Sequence, residues 1–181
     1  MTETAAPLVV IGLGQVLRAD DAAGIRVVEA VRERAAADPT ILPPATRLVD
    51  GGTVGAGLAG WIRGCRGLVL ADAVRLGGTV GAVTVLRGEA AEADAAADGT
   101  PGDARGELLA LARLMDWLPA EVSLVGIEIA DLDLGLQLSP AVAAAIPDAA
   151  QAVITELDRI AGRPGGRFRG GHAARMAGAL A

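Results

Sequence analysis

"LVVIGLGQVLRADDAAGIRVVEAV", residues 8–31, decides between two kinds of α/β protein. The apolar run from Leu8 has no alternation and ends in glycine, as expected of a strand buried on both faces of a parallel sheet. Beyond it Ile25, Val28 and Val31 recur near helical spacing with Arg and Glu between them, which predicts a helix over 22–36. The connecting turn resembles a nucleotide loop, but its letters do not fit one. "GLGQVL" puts Leu17 where the third glycine of a dinucleotide fingerprint belongs. The chain has no lysine for a P-loop, and the adjacent Asp20 and Asp21 would repel a phosphate. This loop is better suited to a cation.

Further along, strands and helices alternate. "TRLVDGG" (46–52), "GLVLADAV" (67–74), "TVGAVTVLRG" (79–88) and "EVSLVGIEIA" (121–130) read as strands. "VGAGLAGWIRG" (54–64) reads as a helix loosened by glycine, and "ELLALARLMDWL" (107–118) as a helix stopped by Pro119. A last helix spans 139–162, with Ser139 as N-cap, Pro140 at its first position and Pro147 as a kink or break. Residues 89–106 lack an apolar stripe and read as a loop. The link from the third strand to the fourth is about four residues, whereas a parallel crossover needs about a dozen or more, so the fourth strand should lie antiparallel at an edge. The expected fold is α/β: a three-layer α/β/α sandwich on a mostly parallel five-stranded sheet with one antiparallel edge strand. One domain should cover residues 1–162. The Gly/Arg-rich tail, 163–181, holds the only histidine, His172, and little order is expected there.

Composition narrows the class. With 52% of its 181 residues hydrophobic and 21% charged, the chain is globular rather than disordered. One Phe, two Trp and no Tyr leave an aliphatic core. A net charge of −6 argues against nucleic acid or an anionic membrane as partner. The first residues carry no basic n-region, and their apolar run is too short for a signal or a span, so a cytoplasmic protein is expected. Cys65 stands alone, without a disulfide partner, a thiolate cage or a neighbouring base.

The acids are placed with more purpose. Asp20 and Asp21 follow the first strand, Asp50 ends the second and Asp72 ends the third. Parallel strands would bring all of them to one carboxyl edge, where open α/β sheets build their sites. Each has a structural alternative. Asp20 or Asp21 could cap the first helix, and Asp50 could satisfy the amides of its turn.

Four blocks taken together resemble a known family. "VVIGLGQVLRADDAAGIRVVEAV", "VDGGTVGAGLAGWI", "LVLADAVRLGGTVGAVTVLRG" and "LVGIEIADLDLGLQLSPAVAAAI" are similar, in order and spacing over roughly residues 7–160, to the [NiFe]-hydrogenase maturation proteases. The D-G-G-T block and the first-loop pattern Gly-x-Gly-Asn-x-Leu-x-x-Asp-Asp/Glu carry the likeness, with Gln15 in place of the Asn. The resemblance implies an endopeptidase that removes a C-terminal extension from a hydrogenase large-subunit precursor after nickel insertion. The nickel would arrive with the precursor rather than reside in this chain. The first acid of the family's metal-contacting set falls on Asp21 and the second on Asp72, with Asp20 and Asp50 as supporting groups. The third member, a His before the third helix, is absent from "GTPGDARGELL". Counting back from Gly106 puts Asp103 in its place; counting back from Glu107 puts Pro101 there. Oxygen ligands suit nickel less well than imidazole. A catalytically degenerate relative that binds or assembles the large subunit is therefore the alternative. A small-molecule α/β enzyme is the weaker third reading, because no cofactor fingerprint survives.

Overall fold

The computed structural model describes residues 6–92, 103–130 and 133–164. Five strands form one sheet: β1 (Leu8–Leu13), β2 (Thr46–Gly52), β3 (Gly67–Val74), β4 (Val83–Arg87) and β5 (Glu121–Glu128). Their order is β2-β1-β3-β5-β4. Strand β1 pairs parallel with β2 and β3, β3 pairs parallel with β5, and β4 alone runs antiparallel, on β5. This is the mostly parallel sheet with one antiparallel edge that the short third connection requires.

Continuous apolar strands feed two cores. From β1, Leu8 and Val10 face one side, with Val69, Ala71, Val125 and Ile127. There they meet α1 (Ala23–Ala37) and α4 (Pro140–Ala161) through Val27, Val28, Val31, Val142, Val153 and Leu157. Val9, Ile11 and Leu13 face the other side, against Leu58 and Ile62 of a 3-10 turn (Gly55–Leu58) and α2 (Ala59–Ile62), and Leu108, Leu109 and Ala112 of α3 (Ala104–Leu114). Helices thus cover both faces, as parallel strands without a solvated side demand. Among the described residues no helix is long and apolar enough to cross a membrane.

Several boundaries differ from the sequence pattern. Helix α3 starts at Ala104 and ends at Leu114, not 107–118, and residues 89–92 are already helical. Asp103 takes the N-cap, accepting the Arg105 N–H at 3.1 Å. The expected helix over 54–64 is a 3-10 turn followed by one α-turn. Pro147 does not split α4, which is continuous from Pro140 to Ala161. The Pro147 carbonyl accepts Arg34 Nη2 of α1 at 3.0 Å, so a side chain from the neighbouring helix braces this turn. The edge strand is anchored by charge. Arg87 donates to both Glu156 oxygens, at 2.9 and 2.6 Å, and Ser123 and Arg159 donate to the same carboxylate. Burial opposes the ionised Glu156, but these donors outweigh it and hold its pKa below the usual range. Of the expected tail, residues 165–181 with His172 lie outside the described residues, as does Pro101.

Gly24 sets the height of α1 above the sheet. A Cβ there would run into the carbonyl oxygens of Ala71 on β3 and Leu13 on β1. Gly24→Ala should therefore cost about 1–3 kcal/mol by overpacking, read as a lower urea midpoint. Gly60→Ala, with nothing within 4 Å of the added methyl, should be neutral or slightly stabilising in the same titration. Equal midpoints for the two variants would contradict the close approach.

Candidate active site

The strand order reverses between β1 and β3, because β2 lies on one side of β1 and the rest of the sheet on the other. Crevices at such switch points, outside the carboxyl ends of the strands, are where open α/β sheets bind ligands. The loop after β1 folds over this crevice. Gly14, at φ 123°, makes the turn, and a Cβ there would collide with the Asp21 carbonyl oxygen. The chain then enters a 3-10 turn, Ala19–Ala22, that carries both acids.

These two neighbours point to different partners. Asp20 is fully buried and accepts the Ser139 N–H at 2.6 Å and the Ser139 Oγ–H at 3.0 Å. It ties the β1 loop to the start of α4. The Ser139 hydroxyl, expected to cap α4, is spent on this contact, and α4 has no side-chain cap. Asp21 is partly exposed, and its Oδ2 accepts the Gln15 N–H at 2.9 Å, which closes the loop on itself. Neither acid caps α1, whose N-cap is Ala22. Asp50 is exposed on β2, in register with Gly12.

Asp72 sits near the end of β3, with its side chain 14% exposed. Its Oδ2 lies 3.5 Å from Arg105 Nη1 in the first turn of α3. Burial pushes the Asp72 carboxyl up to about 7; Arg105 pulls it down, while Asp21 and Asp103 push it further up. The three acids therefore share one electrostatic neighbourhood, Asp21 from the β1 loop and Asp103 from the cap of α3. Among the described residues no three His, Cys, Asp or Glu side chains are gathered closely enough to hold a metal ion. The beginning of the β3–β4 connection is fixed beside this edge by buried Glu128, which accepts the N–H groups of Leu76 and Gly77 at 2.9 and 3.1 Å.

Sequence reasoning missed Arg105 and Glu128. The one local signal for Arg105 is a cation in the first turn of a helix, where the dipole disfavours it. Nothing in the described site supplies a covalent nucleophile. The two serines of the chain are occupied: Ser123 is buried against Glu156, and Ser139 is held by Asp20. Cys65 is buried, and burial pushes its thiol up to about 11.

A carboxyl raised from its ordinary 3.8 to about 7 keeps in the folded chain a proton that the unfolded chain has lost. The contribution of Asp72 to stability is then fully present below about pH 4 and is lost as pH rises from about 4 through 7, by an amount on the order of a few kcal/mol. Asp72→Asn, which mimics the protonated form, should raise the melting temperature by several degrees at pH 8 and change it little at pH 4. An equal effect at the two pH values would show that Asp72 is ordinary in the folded chain.

The family is established by comparison. The model of the HycI family, described as hydrogenase maturation protease, matches residues 25–156. The hydrogenase expression/formation protein HupD of Rhodobacter capsulatus is 35% identical over 153 residues, covering 83% of this chain and 70% of its own. The hydrogenase 2 maturation protease of Escherichia coli K12 is 32% identical over 152 residues, covering 83% and 90%. Among solved structures, the hydrogenase maturating endopeptidase HybD from E. coli superposes with a TM-score of 0.75 at 29% identity, over 86% of this chain and 94% of that one. The HybD maturation protease from Thermococcus kodakarensis gives 0.65 at 25% identity, over 81% and 96%. The chain carrying these carboxylates at the β1/β3 crevice is a member of the hydrogenase maturation protease family.

Proposed function

We propose that this chain is an endopeptidase that removes the C-terminal extension of a [NiFe]-hydrogenase large-subunit precursor, in the cytoplasm, once nickel is in place. The observation that carries the reading is the pair Asp21 and Asp72. One comes from the β1 loop and one from the end of β3, on the two sides of the switch point, and the Asp72 carboxyl is strongly perturbed by burial. Carboxylates perturbed by burial and by a charge partner in a crevice cluster at functional sites.

Nickel is here part of the substrate. Asp21 and Asp72 would meet it through oxygen and so register the precursor, whose bound metal can orient the scissile peptide, polarise its carbonyl or activate a water. Asp20 holds the loop that presents Asp21, through Ser139. With both serines occupied and the thiol protonated, attack by water fits this site better than an acyl-enzyme. Asp103 is the candidate third ligand, in the place of the family's His. Its Oδ1 already serves the Arg105 N–H, so it contacts a metal only through its other oxygen or by giving up the cap. That commitment favours the second reading, a relative that docks the large subunit without cutting it.

Incubation with nickel-loaded precursor separates the two. Wild type should shorten the loaded precursor, seen as a mass loss, and leave the nickel-free precursor whole. Asp21→Ala and Asp72→Ala should cut at least about 100-fold more slowly with the fold retained, more than the 10–100-fold that outer groups of a metal site contribute. Asp103→His should raise cleavage by about 10–100-fold. Wild type and Asp103→His that both bind the loaded precursor and leave it whole would establish the docking reading instead.

A further inference from the structure

Among the described residues nine large hydrophobic side chains are exposed, and they are not scattered. Six of them, Val16, Leu17, Val54, Leu76, Leu134 and Leu136, lie in the connections that leave β1, β2, β3 and β5. These four strands are parallel, so all six stand at the carboxyl edge that holds the crevice. The other three lie in α2 and at the end of α3. Part of the edge is built as one lip. The Gly135 N–H donates to the Leu17 carbonyl at 3.0 Å, and the Gly135 carbonyl accepts the Ala19 N–H at 2.8 Å. Leu134 and Leu136, 89% and 68% exposed, flank that glycine, so their backbone runs beside Leu17. Ser139 ties the same segment to buried Asp20. Ala19 takes φ 40°, which is costly for a residue with a side chain, and the bond to Gly135 holds it there. Leucines held out on a braced backbone are already ordered, so docking costs them less freedom. Single apolar side chains on a surface need no explanation, but a gathered set marks an interaction surface.

We propose that this apolar edge is the docking face for the nickel-loaded precursor, and that Leu17, Leu134 and Leu136 are its anchors beside the crevice. This rests on the reading of Asp21 and Asp72 as the groups that meet the precursor's metal. The chemistry of the edge names its occupant. The apolar side chains share it with acids, Asp50 exposed and Asp21 partly so, and the fitting partner sets a cation within an apolar surround. A metal centre embedded in a protein does that. A second copy of this chain does not, because the same face on both partners brings acids against acids. Nor does an anionic membrane, whose charge the acids repel. The lip and the acids then divide the work. Interfaces draw most of their energy from a few buried anchors, whereas oxygen ligands suit nickel poorly. The leucines supply the hold on the precursor, and the carboxylates register its metal. Leu17 stands four residues before Asp21, so a partner seated on the lip is brought to the acids.

The test uses the full chain and nickel-loaded precursor carrying a fluorescent label, with stopped-flow anisotropy to read binding before any cleavage. The Leu134→Ser, Leu136→Ser double variant should bind at least about tenfold more weakly than wild type, chiefly through faster dissociation. Leu17→Ser, on the other side of the Gly135 bonds, should weaken binding in the same direction, so that a fault confined to one loop is not mistaken for lost docking. Leu114→Ser, 81% exposed but at the end of α3, should stay within about threefold of wild type. In cleavage assays the loss from the double variant should fall on KM and not on kcat. Affinities of the folded double variant and of Leu17→Ser within about threefold of wild type would overturn the proposal, as would an equal loss in Leu114→Ser. A wild-type dimer in analytical ultracentrifugation that the double variant dissolves would assign the edge to a second copy and overturn it too. The two readings fail separately. Precursor bound through the lip and left whole would refute the endopeptidase and keep the docking face, whereas precursor cut by the double variant with unchanged KM would refute the docking face and keep the endopeptidase.

Discussion

The approach of α1 to the sheet at Gly24 is the constraint from which the site follows. With no side chain there, the first turn of the helix rests on the carbonyls of Leu13 and Ala71, where β1 and β3 part. The loop from Gly14 to Ala22 then has no room to run along the sheet and must fold over the strand ends. Asp20 turns inward to Ser139 and Asp21 stays at the crevice, closed by the Gln15 amide. Interiors this tightly packed transmit strain instead of absorbing it. A methyl group at residue 24 would therefore be felt at Asp21, three residues earlier.

Electrostatics gives the crevice its character. Asp72 is held where water is scarce, beside two further acids and one arginine. Such an arrangement costs stability at neutral pH and is hard to explain by packing alone. It makes sense where a cation arrives from outside, because the cost of gathering the charges is then recovered in binding. The contrast with Glu156 is instructive. That carboxylate is also buried, yet four donated hydrogen bonds satisfy it and its pKa is depressed. One buried acid is finished as a structural anchor, and the other is left incomplete.

Much of this was legible in the residues themselves. The strand β3 has the bounds its apolar run implies, and the antiparallel β4 follows from a connection too short to cross over. Where reading failed, the deciding contacts were distant or the local letters were ambiguous. "GTPGDARG" looks like a turn because of its glycines, yet Asp103 caps a helix that begins at once. The Ser139 hydroxyl was assigned to α4 on local grounds and went to Asp20, 119 positions earlier in the chain. Pro147 suggested a break, but its missing N–H withdraws a single bond, from the Ala143 carbonyl, and buried Val142, Ala149, Ala150, Val153 and Leu157 hold the helix on the sheet on both sides of it. The acids at the strand ends were visible as letters. Arg105 among them was not, because its meaning depends on β3, which is remote in sequence.

The central claim is that Asp21 and Asp72 meet the metal carried by the precursor. Nickel K-edge X-ray absorption addresses it without relying on turnover. Spectra of the nickel-loaded precursor alone and in complex with this chain should differ by one or two added oxygen ligands at about 2.0–2.2 Å, the range of carboxylate–metal bonds. The added shell should disappear with the Asp21→Ala, Asp72→Ala double variant. Identical nickel coordination in the free and the complexed precursor would contradict the account.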